Sequence, residues 1–201
     1  MTSDQKQAAG RGIVEAAGRL FRVDGYAGVG MDRIARALSR TTGAIYSHYG
    51  GKHDVFAAVI EAGVGRLAGA AERARQSGAP DWVLAFATQY LSRSHRAAVA
   101  DGCLLPTLVQ DVARADRELR DRFADRVLDV ARQLAEGCGE RPSASANDAA
   151  SGWAILALCA GGIMLARAAA DDAMADEILH SCRVAAARLV DADPPRDDER
   201  E

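Results

Sequence analysis

Hydrophobic residues recur along most of this chain at helical spacing, in stripes separated by short polar or glycine-containing breaks. Ile13, Ala17, Leu20 and Phe21, with Asp24 as the polar end of the stripe, predict a first helix over about 8–24 after an unstructured start at 1–7. Gly25 and Gly28 break it. Met31, Ile34, Ala35 and Leu38 then stand at i, i+3, i+4 and i+7, one face of a short amphipathic helix. Ser39 and Arg40 interrupt that pattern, and Thr41 has a hydroxyl suited to accept from the free N–H groups of a second short helix over about 42–49. Gly50 and Gly51 end it, since glycine takes the left-handed cap conformation without strain. Two short helices joined by a tight turn form a helix-turn-helix unit.

The pattern beyond this unit predicts helices over about 52–76, 81–97, 103–113, 116–136, 146–170 and 174–191. The reading is all-α, about nine helices in total. Ser77-Gly78-Ala79-Pro80 and Ala100-Asp101-Gly102 are turns, Gly137 to Ser145 is a Gly/Pro/Ser-rich loop, and 193–201 is a polar tail expected to be disordered. The 116–122 stretch carries Asp116, Arg117, Glu118, Arg120, Asp121 and Arg122, which reads as a solvated face laced with local ion pairs. The longest apolar run, Trp153 to Ala166, is shorter than the ~20 residues that span a bilayer. It reads as a buried helix, and because it lacks a polar face it needs cover on all sides. A subunit interface would supply that cover, with Ala160, Gly161 and Gly162 allowing close backbone approach.

The second helix of the helix-turn-helix unit carries candidate chemistry. Residues on a helix are ~100° apart, so Ile45 and Tyr49 share an inner side while Thr42, Gly43, Tyr46 and Ser47 share another that is small, polar and aromatic. Gly43 costs roughly 1 kcal/mol relative to alanine within a helix, which makes sense where backbone must approach a phosphate or base edge. Tyr46 can offer its hydroxyl to a phosphate oxygen. Lys52 opens the next helix, where free N–H groups already favour an anion.

Charge supports this reading by its distribution rather than its sum. The 201-residue chain has a net charge of −3, with 49% hydrophobic and 26% charged residues, as in a soluble globular protein. The first 52 residues hold eight basic against four acidic residues, +4, so the remainder carries −7. A basic head on an acidic body is the footprint of a localised nucleic-acid contact.

The run Ile34 to Phe56, IARALSRTTGAIYSHYGGKHDVF, resembles the DNA-binding signature of the tetracycline-repressor (TetR) family of bacterial regulators. The matching features are Ile34-Ala35, Leu38, Gly43-Ala44-Ile45-Tyr46, His48-Tyr49, Lys52 and Val55-Phe56, with Ala16-Ala17, Leu20-Phe21 and Gly25-Tyr26 upstream. The signature covers about the first quarter of the chain. Two positions depart from it: the family usually has glycine where Ser39 stands and an apolar residue where Arg40 stands. Serine tolerates a left-handed turn poorly, so a differently shaped turn is expected, with Arg40 pointing outward as an extra phosphate contact.

The resemblance implies a helix-turn-helix DNA-binding domain over 1–52 and a six-helix ligand-sensing and dimerisation domain over 53–192. It implies a cytoplasmic homodimer that represses transcription from a palindromic operator of double-stranded DNA under the control of a small-molecule effector. Carried onto this chain, Thr42, Gly43, Ala44 and Ser47 are candidates for base contact and Arg33, Tyr46 and Lys52 for phosphate contact; Thr41 and His48 complete the DNA-binding set, although ideal helical spacing turns His48 away from the Thr42–Tyr46 face. No Arg, Asn or Gln stands on the recognition face for bidentate base pairing, so readout would lean on contact, water and DNA shape. Dimerisation through the last two helices involves Trp153, Leu156, Ala160, Gly161, Met164, Ile178, Cys182 and Leu189.

Trp82, Phe86 and Tyr90 form an aromatic stripe that suits either ordinary core or the wall of a ligand cavity. With Cys103, Leu104, Leu108 and Trp153 they make the candidate pocket, and its few charges suit an apolar or weakly polar effector. Gly102-Cys103 resembles a subset of the family whose cysteine reacts with electrophiles or oxidants, an alternative mode of control. The four cysteines lack metal or disulfide spacing, and the four histidines are scattered. No metal, cofactor, catalytic constellation or signal peptide is expected. A small all-α enzyme and a dimeric adaptor without DNA binding remain the other classes.

Overall fold

The computed structural model describes residues 3–138 and 149–191, and these form ten α-helices with no strand. They are α1 (Ser3–Asp24), α2 (Met31–Ala37), α3 (Thr42–Tyr46), α4 (Lys52–Gln76), α5 (Trp82–Tyr90), α6 (Arg93–Ala97), α7 (Leu105–Ala113), α8 (Arg117–Gly137), α9 (Ala150–Ala168) and α10 (Asp172–Asp191). They fall into two compact units: the described residues of Met1–Arg66 with Ala98–Ala124, and those of Leu67–Ala97 with Asp125–Glu201.

Three differences from the sequence pattern have local causes. α1 begins at Ser3 instead of near residue 8, because nothing in Ser-Asp-Gln-Lys-Gln breaks a helix and Asp4 suits the positive end of the dipole. α3 stops at Tyr46, and the next residues close as a turn in which the His48 and Tyr49 N–H groups both donate to the Ile45 carbonyl. The helix expected over 81–97 splits into α5 and α6, giving ten helices instead of about nine. At the split, Leu91 is fully buried at ψ 48°, and the Ser92 hydroxyl accepts the His95 N–H to start α6. The 193–201 tail and most of the 137–145 loop lie outside the described residues.

In the first unit, Ile13, Ala17 and Phe21 of α1 are buried with Ile34 of α2, Ile45 of α3 and Val55, Phe56 and Val59 of α4. Each large side chain removed from water in this way contributes about 1.5–3 kcal/mol. Phe21 meets Phe56 edge-on at 5.4 Å, and Tyr26 lies 4.7 Å from the same ring. Tyr26 is tethered further by its N–H, which donates to Asp111 of α7 at 3.2 Å.

In the second unit, α9 and α10 are an antiparallel pair by chain order, packed over their length, with α5 and α6 against them. Close approach requires glycine at two points. A Cβ on Gly152 would overlap the Ala131 carbonyl of α8, and one on Gly162 would press on Leu91 and Cys182. Arg167 of α9 donates to the carbonyls of Arg96 at 2.9 Å and His95 at 3.1 Å, capping the end of α6. Arg93 and Arg96 of α6 pair with Asp176 and Asp172 of α10. α9 is long and apolar enough by composition to cross a membrane, but its Ile155, Leu156, Cys159 and Ile163 are buried in this unit as in a core helix.

Candidate nucleic-acid interface

The helix-turn-helix is built by two buried side chains and one turn. Ile34 anchors α2 and Ile45 anchors α3, both fully buried. Between them the Arg40 N–H donates to the Ala35 carbonyl at 2.9 Å and the Ser39 N–H to the Arg36 carbonyl at 3.0 Å. This bond pair is the Schellman closure of a helix C-terminus, which calls for a left-handed residue next after the cap. Ser39 is that residue, at φ +52°. The expectation of a differently shaped turn is therefore corrected: two backbone bonds hold serine in the left-handed conformation that glycine would take more cheaply. Arg40 is exposed. Thr41 caps α3, its Oγ1 accepting the Ala44 N–H at 3.3 Å.

The cap and helix leave Thr41, Gly43, Tyr46 and Ser47 exposed and Thr42 and Ala44 half-buried. Tyr46 keeps 53% of its surface, unusual for an aromatic side chain. An added Cβ on Gly43 would meet nothing nearer than Thr41 Oγ1 at 3.9 Å. Nothing inside the chain thus requires glycine there, and its helix cost has no internal return. Ser47 donates its hydroxyl proton to the Ala44 carbonyl at 2.8 Å, leaving only its lone pairs to offer outward.

The other positions are engaged within the first unit. His48 is half-buried and lines a cleft of about 680 Å³ with Lys6, Gly10 and Tyr49, turned toward α1. The Tyr49 hydroxyl donates to the Gly10 carbonyl at 3.3 Å, and burial pushes its pKa up. Arg33 pairs with Asp24 at 2.7 Å, so an approaching phosphate would compete with that carboxylate. The Lys52 ammonium sits 4.2 Å from the centre of the Tyr26 ring, a cation–π contact that holds it near the start of α4. There the Gly50 N–H already donates to Asp54 at 2.9 Å. The sequence marked Tyr26 only as part of the family signature, not as a partner of Lys52, and did not mark Asp54 at all. Asp54 at the third position of a helix was a readable cap signal, whereas the Tyr26 contact depends on the fold.

The candidate pocket residues divide between the units. Trp82, Phe86 and Tyr90 are buried in the second, Leu104 and Leu108 are buried and Cys103 half-buried in the first, and Trp153 is 43% exposed on α9. Of the candidate interface residues, Trp153 and Met164 are exposed, while Ala160, Gly161, Ile178, Cys182 and Leu189 are half-buried. Leu156 is buried within its own unit, on the opposite side of α9. Ala157 and Leu165, the latter 62% exposed, belong to the same bare stripe of α9, and Val184 is exposed on α10; the sequence pattern singled out none of the three. Among the described residues no cluster of His, Cys, Asp or Glu could hold a metal ion.

Residues 13–59 match the profile of the bacterial regulatory proteins of the tetR family. No curated protein matches the chain in sequence. A TetR-family transcriptional regulator from Cytophaga hutchinsonii is similar in structure, with TM-score 0.75 and 18% identity, covering 95% of this chain and 97% of its own. A TetR transcriptional regulator from Chloroflexus aurantiacus gives TM-score 0.70 and 22% identity over 90% and 95%. AibR, solved with isovaleryl coenzyme A and operator DNA, gives 0.63 and 18% over 86% and 97%. Residues 13–59 thus carry the DNA-binding helix-turn-helix of the tetR family, and the chain as a whole has the fold of these regulators.

Proposed function

We propose that the chain is a cytoplasmic homodimeric repressor that reads a palindromic operator and releases it on binding a small molecule. The observation that carries the DNA reading is the α3 surface, where exposed Thr41, Tyr46 and Ser47 surround Gly43, a glycine the chain itself does not need. Two copies related by a two-fold axis would place their α3 helices in successive major grooves, with half-sites about 34–36 Å or a multiple apart. Residues 1–52 would serve as the DNA-binding domain and 53–192 as the sensing and dimerisation domain.

The dimer reading is supported by the bare stripe of α9. Trp153, Ala157, Gly161, Met164 and Leu165 recur at helical spacing on a face that water would otherwise cover. The effector would be apolar or weakly polar, in keeping with the buried Trp82, Phe86 and Tyr90. It acts by binding the operator-incompetent state better, and by no more than that difference. A thiol-sensing alternative at Cys103 is tested by comparing its labelling by a mild electrophile with that of Cys182.

The test is fluorescence anisotropy of the full-length protein against DNA flanking its own gene, with scrambled DNA at equal salt. Selective binding whose affinity falls steeply with salt is expected, because phosphate contacts release counterions. Salt-insensitive binding, or none to any flanking DNA, would refute the operator reading. If Arg40 touches a phosphate, Arg40→Val lowers the salt slope by about one, with sequence preference kept.

A further inference from the structure

A second cleft of the first unit holds a buried arginine whose hydrogen bonds are incomplete. The cleft, about 700 Å³, runs along α1 from the end of α2 to Asp101 and includes Val59 and Arg66 of α4. Arg22 is 6% exposed. Its Nη1 donates to the Ala100 carbonyl at 2.8 Å, but its Nε is buried without a partner. Nε–H and Nη2 form the side edge of a guanidinium, the fork that accepts a carboxylate with two parallel bonds. A buried donor left in this state is costly, and such groups are normally satisfied by something.

The surroundings say what would satisfy it. Arg66 and Arg19 also line the cleft, as do Glu15 and Asp101. Three arginines against two carboxylates leave one positive charge. Arg19 and Asp101 pair with each other at 2.7 Å, which leaves Arg22 and Arg66 facing the site with Glu15 the sole remaining carboxylate. Burial first, and then the nearby Arg66, push the Arg22 pKa down, so an anion between the two arginines would relieve both effects. The walls leading away are aliphatic: Val14, Ala16, Leu20, Leu38 and Val59. No aromatic ring lines the cleft to stack a flat compound. The volume lies within the range usual for small-molecule sites.

We propose that this cleft binds an aliphatic monocarboxylate, its carboxylate between the Arg22 and Arg66 guanidiniums, its hydrocarbon chain along α1 toward Leu38. None of the residues lining this cleft belongs to the candidate pocket. Leu38 is the C-cap of α2, so the far end of the ligand would rest beside the turn that sets α3. Occupancy of the cleft would thereby act on the helix-turn-helix from within its own unit.

The test is isothermal titration of the full-length protein with sodium octanoate and, separately, with octanamide, the neutral analogue of the same length, at constant ionic strength. Saturable octanoate binding at one per chain is expected, with octanamide weaker by about tenfold or more, the loss of charge-assisted bonds. Arg66 is exposed, so Arg66→Gln should fold normally and should weaken octanoate about tenfold while leaving octanamide unchanged. Arg22→Gln, checked for folding by circular dichroism, should remove octanoate selectivity. Equal binding of the two compounds, unchanged octanoate affinity in Arg66→Gln, or no octanoate binding to the native protein would each overturn the proposal. The titration contains no DNA, so failure of the operator reading leaves its outcome standing.

Discussion

Ser39 offers a direct test of the turn that sets the recognition helix. Its φ of +52° places a Cβ-bearing residue in the left-handed region, where contact between Cβ and the following carbonyl costs about 1–2 kcal/mol. The Schellman bonds from Arg40 and Ser39 hold it there. Ser39→Gly removes that clash and keeps both bonds, since they use backbone alone. Glycine returns part of the gain, roughly 0.4–1 kcal/mol, through the greater freedom of the unfolded chain. A net stabilisation of about 0.5–1 kcal/mol is expected for the first unit. The assay is urea unfolding at fixed protein concentration, because association would otherwise shift the midpoint. Tyr26, Tyr46 and Tyr49 lie in the first unit, while Tyr90 and both tryptophans lie in the second. The tyrosine signal is therefore weighted to the first unit and the tryptophan signal belongs to the second. The tyrosine midpoint should rise by a few tenths of a molar at unchanged slope. Ser39→Ala, which keeps the Cβ, should give no rise. A Ser39→Gly midpoint at or below the native one would sink the strain argument.

Thr41→Ala removes the cap that accepts the Ala44 N–H and should cost about 1 kcal/mol in the same tyrosine transition. It should also weaken DNA binding by anisotropy, because the first turn of α3 frays. Gly152→Ala would drive a Cβ into the Ala131 carbonyl and should lower the tryptophan transition by about 1–3 kcal/mol, the usual cost of overpacking. His95 tests pH dependence. Burial holds its pKa below the ordinary 6.5, so below pH 6.5 the unfolded chain binds the proton more readily than the folded one. Its contribution to stability is therefore complete above pH 6.5 and is lost as pH falls through the depressed folded value. His95→Gln should flatten the decline of the tryptophan midpoint just below pH 6.5, and an unaltered decline would contradict the assignment.

The features legible in the sequence are those decided within a few residues. Helical spacing marked the elements because burial of a helix face needs apolar residues at i, i+3 and i+4, and that condition is local. The helix-turn-helix was legible for the same reason: Ile34 and Ile45 fall on facing stripes, and Thr41 stands where a cap is needed. The conformation of Ser39 was misjudged because residue preference was weighed without the two backbone bonds that override it, at a cost too small to reshape the turn. The 81–97 helix was drawn too long because Leu91 carries no breaking signal. It turns the chain by burying its side chain, and its carbonyl accepts from Arg183, 92 positions away.

By itself, then, the sequence determined the all-α class, the stripe of each amphipathic helix and the surface composition of α3, since all of these follow from periodicity and capping along one chain. Tertiary structure alone decided which charges remain available. It paired Arg33 with Asp24, laid Lys52 over Tyr26 and turned His48 toward α1. It also decided which face of α9 stays bare, because an evenly apolar helix does not say which of its sides its neighbours will cover. And it buried Arg22 against a carbonyl 78 positions away with its Nε unsatisfied, although an arginine near the end of an amphipathic helix reads as a solvated charge. The physical reason is common to all of these. A side chain's free energy depends on the groups that long-range contacts bring to it, and the spacing of residues along one helix does not specify those groups.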